Sequence, residues 1–398
     1  MNSVLFTGVR PFGAAPRDLL VRDGRVAHAD PAGARAADAE VVDGTGLLAL
    51  PAPVDAHIHP DKSTWGDRWL SREPADDLRA LIAYDVTARS AMIPVARRAG
   101  ALMDHAVARG TRAWRAHVDV APAYGLANVH GVREAADART DLLHVQTVAF
   151  PQLGVLTAPG TAELLAKALD EGADVLGGLD PVGIDRDRDG QLDLLFGLAE
   201  RAGKPLDIHL HDGGAPGLDQ IAEIARRTRA LGLQGRVTVS HAFALADCGP
   251  DTLTQLADLL AEAQVALATC ALGAEPVVPF PQLTAAGVRV ALGSDGVRDP
   301  WTPFGDGDMI ARAHLLAYRT DARTDAELEA CYRLAADGGA ALLGLEPSTL
   351  LPGAPADFVL LAADSLPQAV VDRPLPAVVV HGGRVVARDG RLLERTPA

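Results

Sequence analysis

The stretch Leu47-Leu48-Ala49-Leu50-Pro51-Ala52-Pro53-Val54-Asp55-Ala56-His57-Ile58-His59-Pro60-Asp61-Lys62 runs from an apolar strand straight into two histidines and three charges. Polar groups at the end of a buried strand need partners or a task, since burying them unpaired is costly. Residues two apart in a strand face the same side, so His57 and His59 point together. Whether they form a structural pair or half of a metal site is decided by what the rest of the chain sets beside them.

Short apolar runs of the same texture recur through the middle of the chain. They are Trp114 to Val120, His144 to Phe150, Val175 to Leu179, Leu206 to His211, Arg236 to His241, Val265 to Cys270 and Val288 to Gly293. Helical patterns separate them, among them Thr161 to Glu171, Leu192 to Ala202, Leu218 to Leu231 and Thr252 to Glu262. With Val54 to His59 this makes eight strands alternating with helices, the pattern of an α/β (β/α)8 TIM-type barrel; a doubly wound open sheet is the alternative. The first and last fifty residues instead read as short strands and turns, such as Val4-Leu5-Phe6, Asp18 to Val21, Phe358 to Leu361 and Ala377 to Val380. They predict a small β-sandwich domain built by both termini, residues 1–50 and 347–398, around a barrel of residues 51–346.

The 398 residues are 48% apolar and 22% charged, an ordinary globular composition. A formal net charge of −15 argues against nucleic acid or an anionic membrane as partner, because both select a basic surface. Cys248, Cys270 and Cys331 are an odd, scattered set without a CxxC, which suits neither a disulfide framework nor a thiolate metal site. The N-terminal MNSVLFTGVRPFG has no basic-then-apolar leader, and no apolar run reaches membrane-spanning length. A cytoplasmic address is the default expectation.

Barrel active sites lie at the C-terminal ends of the strands. His57 and His59 fall at that end of strand one, His209 ends strand five, His241 ends strand six and Asp295 follows strand eight. Neutral imidazole and carboxylate are ordinary ligands for zinc or iron. A lone HxH is weak, because a strand-end histidine pair is more often structural. Four strands presenting ligand-type residues at one rim make a metal site the better reading.

This arrangement resembles the amidohydrolase superfamily, whose members also close a small β-sandwich from both chain ends. Val148-Ala149-Phe150-Pro151-Gln152, Val237-Thr238-Val239-Ser240-His241 and Asp299-Pro300-Trp301-Thr302-Pro303-Phe304-Gly305 make it similar to the cytosine deaminase branch. The resemblance spans nearly the whole chain. It implies one divalent metal ion per chain (zinc or iron, with manganese admitted) held by His57, His59, His209 and Asp295. His241 would bond the attacking water, and Asp295 and His241 would accept its proton. The bridging lysine of two-metal branches would end strand four; Leu179-Asp180-Pro181 stands there, so a single metal is expected.

Three departures from the branch stand out. The glutamate that protonates the departing or ring nitrogen corresponds to Asp212, a side chain shorter by about 1.5 Å. Gly296 stands where the deaminases carry a second aspartate. Lys62 replaces a small hydroxyl residue, and His57-Ile58-His59-Pro60-Asp61-Lys62 matches the HxHxxK of a relative acting on N-alkylated triazines. The resemblance further makes Gln152 the reader of a ring carbonyl and its adjacent N–H, since a side-chain amide both donates and accepts. Trp301 would stack as a pocket wall, Lys62 would contact substrate, and His211, facing the metal side by alternation, would contact it too; a turn glutamine, a loop tryptophan, a solvated lysine and a histidine that merely caps a neighbour are the plain alternatives. His117 and Asp119 share a face of strand two and are candidates for the pocket lining.

Asp185-Arg186-Asp187-Arg188-Asp189-Gly190 imitates a calcium loop, but its twelfth position is Phe196, where a bidentate glutamate is required. A polar loop after strand four is the expectation. The function expected is a metal-dependent hydrolase removing an amine or ammonia from a small nitrogen heterocycle. A ring-opening cyclic amidohydrolase, an N-substituted aminotriazine amidohydrolase and a non-catalytic ligand-binding barrel are the alternatives. The resemblance also allows a homo-oligomer, although the sequence shows no interface signal.

Overall fold

The computed structural model describes residues 3–27, 39–72, 74 and 78–394. Strands β1 (Ser3–Pro11), β2 (Arg17–Arg22), β3 (Arg25–Val26), β4 (Glu40–Asp43) and β5 (Leu48–Pro51) precede the barrel. The barrel is built by β6 (Val54–Ile58), β7 (Ala113–Asp119), β8 (His144–Phe150), β9 (Val175–Leu179), β10 (Leu206–Leu210), β11 (Val237–His241), β12 (Ala266–Thr269) and β13 (Val290–Leu292). After it come β14 (Phe358–Leu361), β15 (Pro376–His381), β16 (Arg384–Arg388) and β17 (Arg391–Leu392).

β6 to β13 pair in sequence order, all parallel. The ends of this sheet meet, which rules out the open doubly wound alternative. Ile58 bridges Asp295, the Asp295 N–H donates to the His57 carbonyl at 2.7 Å, and the His59 N–H donates to the Asp295 carbonyl at 3.2 Å. Asp55 strengthens the same seam, its buried Oδ1 accepting from the N–H groups of His57 and Ser294. The seam is tight. A Cβ at Gly293 would lie 2.5 Å from the Cβ of His57 and 2.7 Å from its backbone nitrogen, so only glycine lets the eighth strand close on the first. Strands covered on both faces need no polar alternation; every residue of β6, β7, β9, β10 and β11 is buried.

The terminal strands form a separate nine-stranded sheet that turns at β1. Early residues of β1 pair with β2 and β4, while Arg10 and Pro11 pair with β5, which in turn pairs with β14 from the C-terminal segment. Both halves share one core, in which Val4, Phe6, Val21 and Val42 pack with Phe358, Leu360 and Val378. Phe6 meets Phe358 edge-on at 5.0 Å.

The four expected helices are present as Thr161–Asp170, Arg188–Ala202, Gly214–Ala230 and Pro250–Ala263. The second starts four residues before its apolar pattern because Asp187 caps it, accepting from the Gly190 N–H at 2.9 Å. A long excursion joins β6 to β7 and carries the helices Leu78–Ser90 and Val95–Ala108.

Candidate metal centre and pocket

The strand ends bring His57, His59, His209, His241 and Asp295 together at one pole of the barrel. Because Asp295 supplies the closing rung, its carboxylate lands beside the first strand: Oδ1 lies 3.4 Å from His57 Nε2 and 3.2 Å from His59 Nε2. His59 Nε2 and His209 Nε2 face each other at 3.2 Å. The ring of His241 lies 4.9 Å from that of His57 and 5.1 Å from that of His209. Asp295 (φ 60°) and His241 (φ 72°) both adopt left-handed backbone, a conformation that non-glycine residues hold only where their surroundings impose it.

Electrostatics prepare these groups as ligands. Burial and the surrounding rings keep His209 and His241 well below the ordinary imidazole range. Burial, with the charge of Lys62, brings His59 down to about 4. Burial works against the Asp295 carboxylate, but the histidines beside it, His57 and His59 foremost, outweigh it and hold the group well below its usual value. His59, His209 and His241, all held neutral, thus gather at a carboxylate.

The rings are fixed from behind. His57 Nδ1 lies 3.0 Å from Ser240 Oγ, which donates to Asp207 Oδ1 at 2.7 Å. Asp207 Oδ2 accepts from Arg115 at 2.9 Å. Ser240, Asp207 and Arg115 are all buried, and none was singled out as a site residue from the sequence. A polar residue inside each of three apolar runs, the second, fifth and sixth of the barrel, was the available signal. His117 stacks on His57 at 3.9 Å, and both its ring nitrogens lack hydrogen-bond partners among the described residues.

Lys62 is not a solvated loop cation. Its side chain is 4% exposed, its ammonium lies 3.2 Å from Asp119 Oδ1 and donates to Gln152 Oε1, and it sits 5.4 Å above the rings of both Phe150 and Trp301. Phe150 in turn packs on His209 at 4.0 Å, which puts this wall against the pole. Arg89, from the helix Leu78–Ser90, ties the wall together by reaching Asp61 at 3.0 Å, Asp85 at 3.1 Å and Asp119 at 2.7 Å. Gln152 and Trp301 therefore stand in one wall with Lys62, and Asp119 belongs to it as well.

Asp212 is engaged elsewhere. Its Oδ2 accepts from the Gly183 N–H and from Gln220 Nε2, both at 2.9 Å, which ties the loop after β9 to the helix Gly214–Ala230. His211 stacks on His241 at 4.5 Å and its Nδ1 lies 2.7 Å from Asp180 Oδ2. Asp180, the residue at the end of the fourth barrel strand, thus orients His211. At Gly296 a Cβ would fall 2.3 Å from Asp299 Oδ2, so the space of a side chain there is filled by the Asp299 carboxylate. Burial raises Asp299 to about 6. The imitation calcium loop is a loop organiser: Asp185 accepts from the N–H groups of Val155, Leu156 and Thr157 and from Gln191.

The donor set suits a divalent metal: ligand atoms of His57, His59 and Asp295 lie within 4.8 Å of one another, as do those of His57, His209 and His241, and the separations of 3.2 and 3.4 Å suit ligands gathered at about 2.0–2.2 Å around an ion. The buried His57 Nε2 has no hydrogen-bond partner among the described residues. A barrel that collects imidazoles and a carboxylate at the C-terminal rim of its strands defines a metal-assisted hydrolase.

Residues 85–387 match the amidohydrolase family. The chain is 33% identical over 357 residues to the N-isopropylammelide isopropyl amidohydrolase of Pseudomonas sp. (strain ADP), covering 87% of this chain and 88% of that one. The crystal structure of N-isopropylammelide isopropylaminohydrolase from Burkholderia multivorans ATCC 17616 superposes with a TM-score of 0.95 at 41% identity, over 99% of this chain and 100% of that chain. The 5-methylcytosine deaminase from Klebsiella pneumoniae, liganded with 5-fluorocytosine, gives 0.84 at 26% identity over 99% of both chains. The chain belongs to the amidohydrolase family, which generally depends on a divalent metal. It is an enzyme that hydrolyses carbon–nitrogen bonds other than peptide bonds. Among the described residues no helix is long and apolar enough to cross a membrane.

Proposed function

We propose that this enzyme hydrolyses the exocyclic C–N bond of an amino-substituted, oxo-bearing nitrogen heterocycle, with N-substituted aminotriazines ahead of cytosine. The observation that carries the reading is the convergence of His57, His59, His209 and Asp295. Lys62 in the pocket wall, together with the similarity to the two N-isopropylammelide hydrolases, supports the choice of substrate.

His57, His59, His209 and Asp295 would hold one ion, zinc or iron in our reading, with manganese admitted. When bound, it acts as a Lewis acid and brings the pKa of water towards about 7. Asp295 and His241 are the groups beside that position able to accept the proton of the attacking water. Phe150, Trp301, Lys62 and Gln152 enclose and orient the ring. His211, tethered by Asp180 and stacked on His241, contacts the substrate at the mouth. We assign Asp212 to loop support in place of proton transfer, because Gly183 and Gln220 both donate to its Oδ2 and tie the side chain to the loop after β9. A catalytic body of residues 51–346, a terminal sandwich domain of 1–50 and 347–398, a cytoplasmic address and a homo-oligomer complete the proposal.

The test is amine and ammonia release from N-isopropylammelide, ammelide, cytosine, 5-methylcytosine and creatinine, using protein loaded separately with zinc, iron and manganese. Turnover of an aminotriazine above the pyrimidines is expected. Metal-loaded protein that releases no amine from any of them would refute the reading.

A further inference from the structure

We infer that the helix Leu78–Ser90 is a lid over the substrate pocket, latched shut by Arg89. This deepens the heterocycle reading and rests on it, since it names the element that must move to admit the ring. The groups assigned to metal and substrate are closed in. His57, His59, His209, His241, Lys62 and Gln152 are all buried, whereas the side chains of His211 and Asp295 reach solvent. A ligand meets buried groups after something over them has moved.

The element seated against the pocket wall is this helix. Arg89, in its last turn, reaches Asp61 at 3.0 Å and Asp119 at 2.7 Å. Asp119 ends β7 and Asp61 follows the metal pole by two residues, so both anchors belong to the barrel. One turn earlier, Asp85 pairs with Arg89 at 3.1 Å and lies beside Lys62 and Trp301. Arg89 also meets the ring of Tyr124 at 5.1 Å.

Charge holds this helix down, not apolar contact. A helix docked on a barrel ordinarily buries an apolar stripe. Val95–Ala108, next in the chain, buries eight of its residues, Leu102, Met103 and Val107 among them. In Leu78–Ser90 the side chains from Ala80 to Ser90 are described, and one of them, Asp85, is buried. The chain is moored on either side. Arg72 donates to the carbonyls of Asp299 and Thr302, while Ile93 accepts from Arg98 at 2.8 Å and its N–H donates to Asp67 at 2.9 Å. Between those moorings the helix can lift once Arg89 leaves Asp61 and Asp119. Arg89 is accordingly a positioning residue: it acts on the substrate through the cover that it holds in place.

Hydrogen–deuterium exchange of the wild-type, metal-loaded enzyme reads the lid directly. Amides of Leu78–Ser90 should exchange about a hundredfold faster or more than those of Val95–Ala108, because a latched helix opens by itself while a packed one opens with the core. Equal protection of the two helices would overturn the inference.

Arg89→Met tests the latch. Exchange in Leu78–Ser90 should quicken about tenfold or more with Val95–Ala108 unchanged. Apparent affinity falls with the closed fraction, so KM for N-isopropylammelide should rise about tenfold or more while kcat and metal content stay within about threefold; Arg89→Lys should recover part of both changes. A raised KM with unchanged exchange would mean that Arg89 serves only to set Asp119 and Lys62, and would overturn the lid. Quicker exchange with unchanged KM would overturn it as well, since the helix would then move without covering the pocket. If Arg89→Met does not fold, the wild-type comparison decides alone. Failure is separable from that of the parent reading: an enzyme that turns over heterocycles yet protects the two helices equally refutes only the lid.

Discussion

Replacing Ser240 by alanine tests whether the pole is preorganised from behind. A serine hydroxyl carries one proton. In this structure it goes to Asp207 Oδ1 at 2.7 Å, so towards His57 Nδ1, 3.0 Å away, Ser240 Oγ acts as acceptor. That fixes the proton of His57 on Nδ1 and aims the lone pair of Nε2 at the pole. Alanine leaves the Nδ1–H and one oxygen of Asp207 unpaired in a fully buried place, at about 1–3 kcal/mol for each group. Asp207 keeps Arg115 at 2.9 Å, so the barrel should still fold. The His57 ring, however, loses its tautomer bias, and metal affinity should fall about 10–100-fold, the range usual for loss of a partner behind a ligand. Competition with a fluorescent chelator gives the metal Kd, alongside kcat per bound metal and Tm. A weaker Kd with kcat per metal nearly preserved is expected. A folded Ser240→Ala protein with the wild-type Kd would refute the reasoning.

Asp295→Ala should keep the closing backbone rung but lose the metal and all turnover; one bound equivalent by elemental analysis would remove Asp295 from the ligand set. Asp212→Asn should change kcat by no more than about threefold, as for substitutions clear of the chemistry; a hundredfold loss with the metal retained would return Asp212 to the proton path. Gly293→Ala must displace His57, 2.5 Å from the new Cβ, and should lower stability by about 1–3 kcal/mol or more while releasing metal, read as Tm and metal content. Asp185 is opposed by burial, but the N–H groups of Leu156 and Thr157 and the Gln191 amide win and hold it below its ordinary 3.8. A carboxyl depressed in the folded state stabilises above the unfolded pKa and loses that contribution as pH falls through the folded one. Asp185→Asn should therefore be less stable than wild type at pH 7, and the gap in denaturation midpoint should narrow below about pH 4; a gap independent of pH would exclude the carboxylate's charge as the cause.

The pole was legible in the sequence because strand position dictates side-chain direction. His57, His59, His209 and His241 all lie on, or one residue beyond, hydrogen-bonded strand ends, where alternation by two fixes which way each points. Asp212 lies two residues past Leu210, beyond the end of β10, and there the period of two no longer holds. Its direction is set by the Gly183 N–H and Gln220, one from the loop after β9 and the other from a helix, and the spacing from His209 says nothing about either. Lys62 could be suspected from its spacing to His59 but not resolved. Its partner Asp119 ends β7, Gln152 lies two residues beyond the end of β8, and Arg89 comes from a helix with a single buried described residue, Asp85, and hence no apolar stripe to announce its packing.

The two halves of the site rest on different kinds of bond, and this bears on how substrate choice can change. The metal pole hangs on backbone: Asp295 is at once a ligand candidate and the rung that closes the barrel, so moving it opens the seam between β6 and the segment after β13. The wall of Lys62, Gln152, Asp119 and Arg89 hangs on side-chain ion pairs reaching across from the β6–β7 excursion. Buried ion pairs are weak contributors to net stability but strongly directional, and breaking one partner leaves the other exposed to the full desolvation penalty. Substitutions in the wall must therefore come in matched sets to be tolerated, Lys62 with Asp119 for example, and such sets can redraw the ring edge that is recognised without loosening the pole. Double replacement of Lys62 and Asp119 by methionine and asparagine should accordingly be better folded than Lys62→Met alone, and should bind metal with the wild-type Kd. A double variant that loses metal would show that wall and pole are one unit.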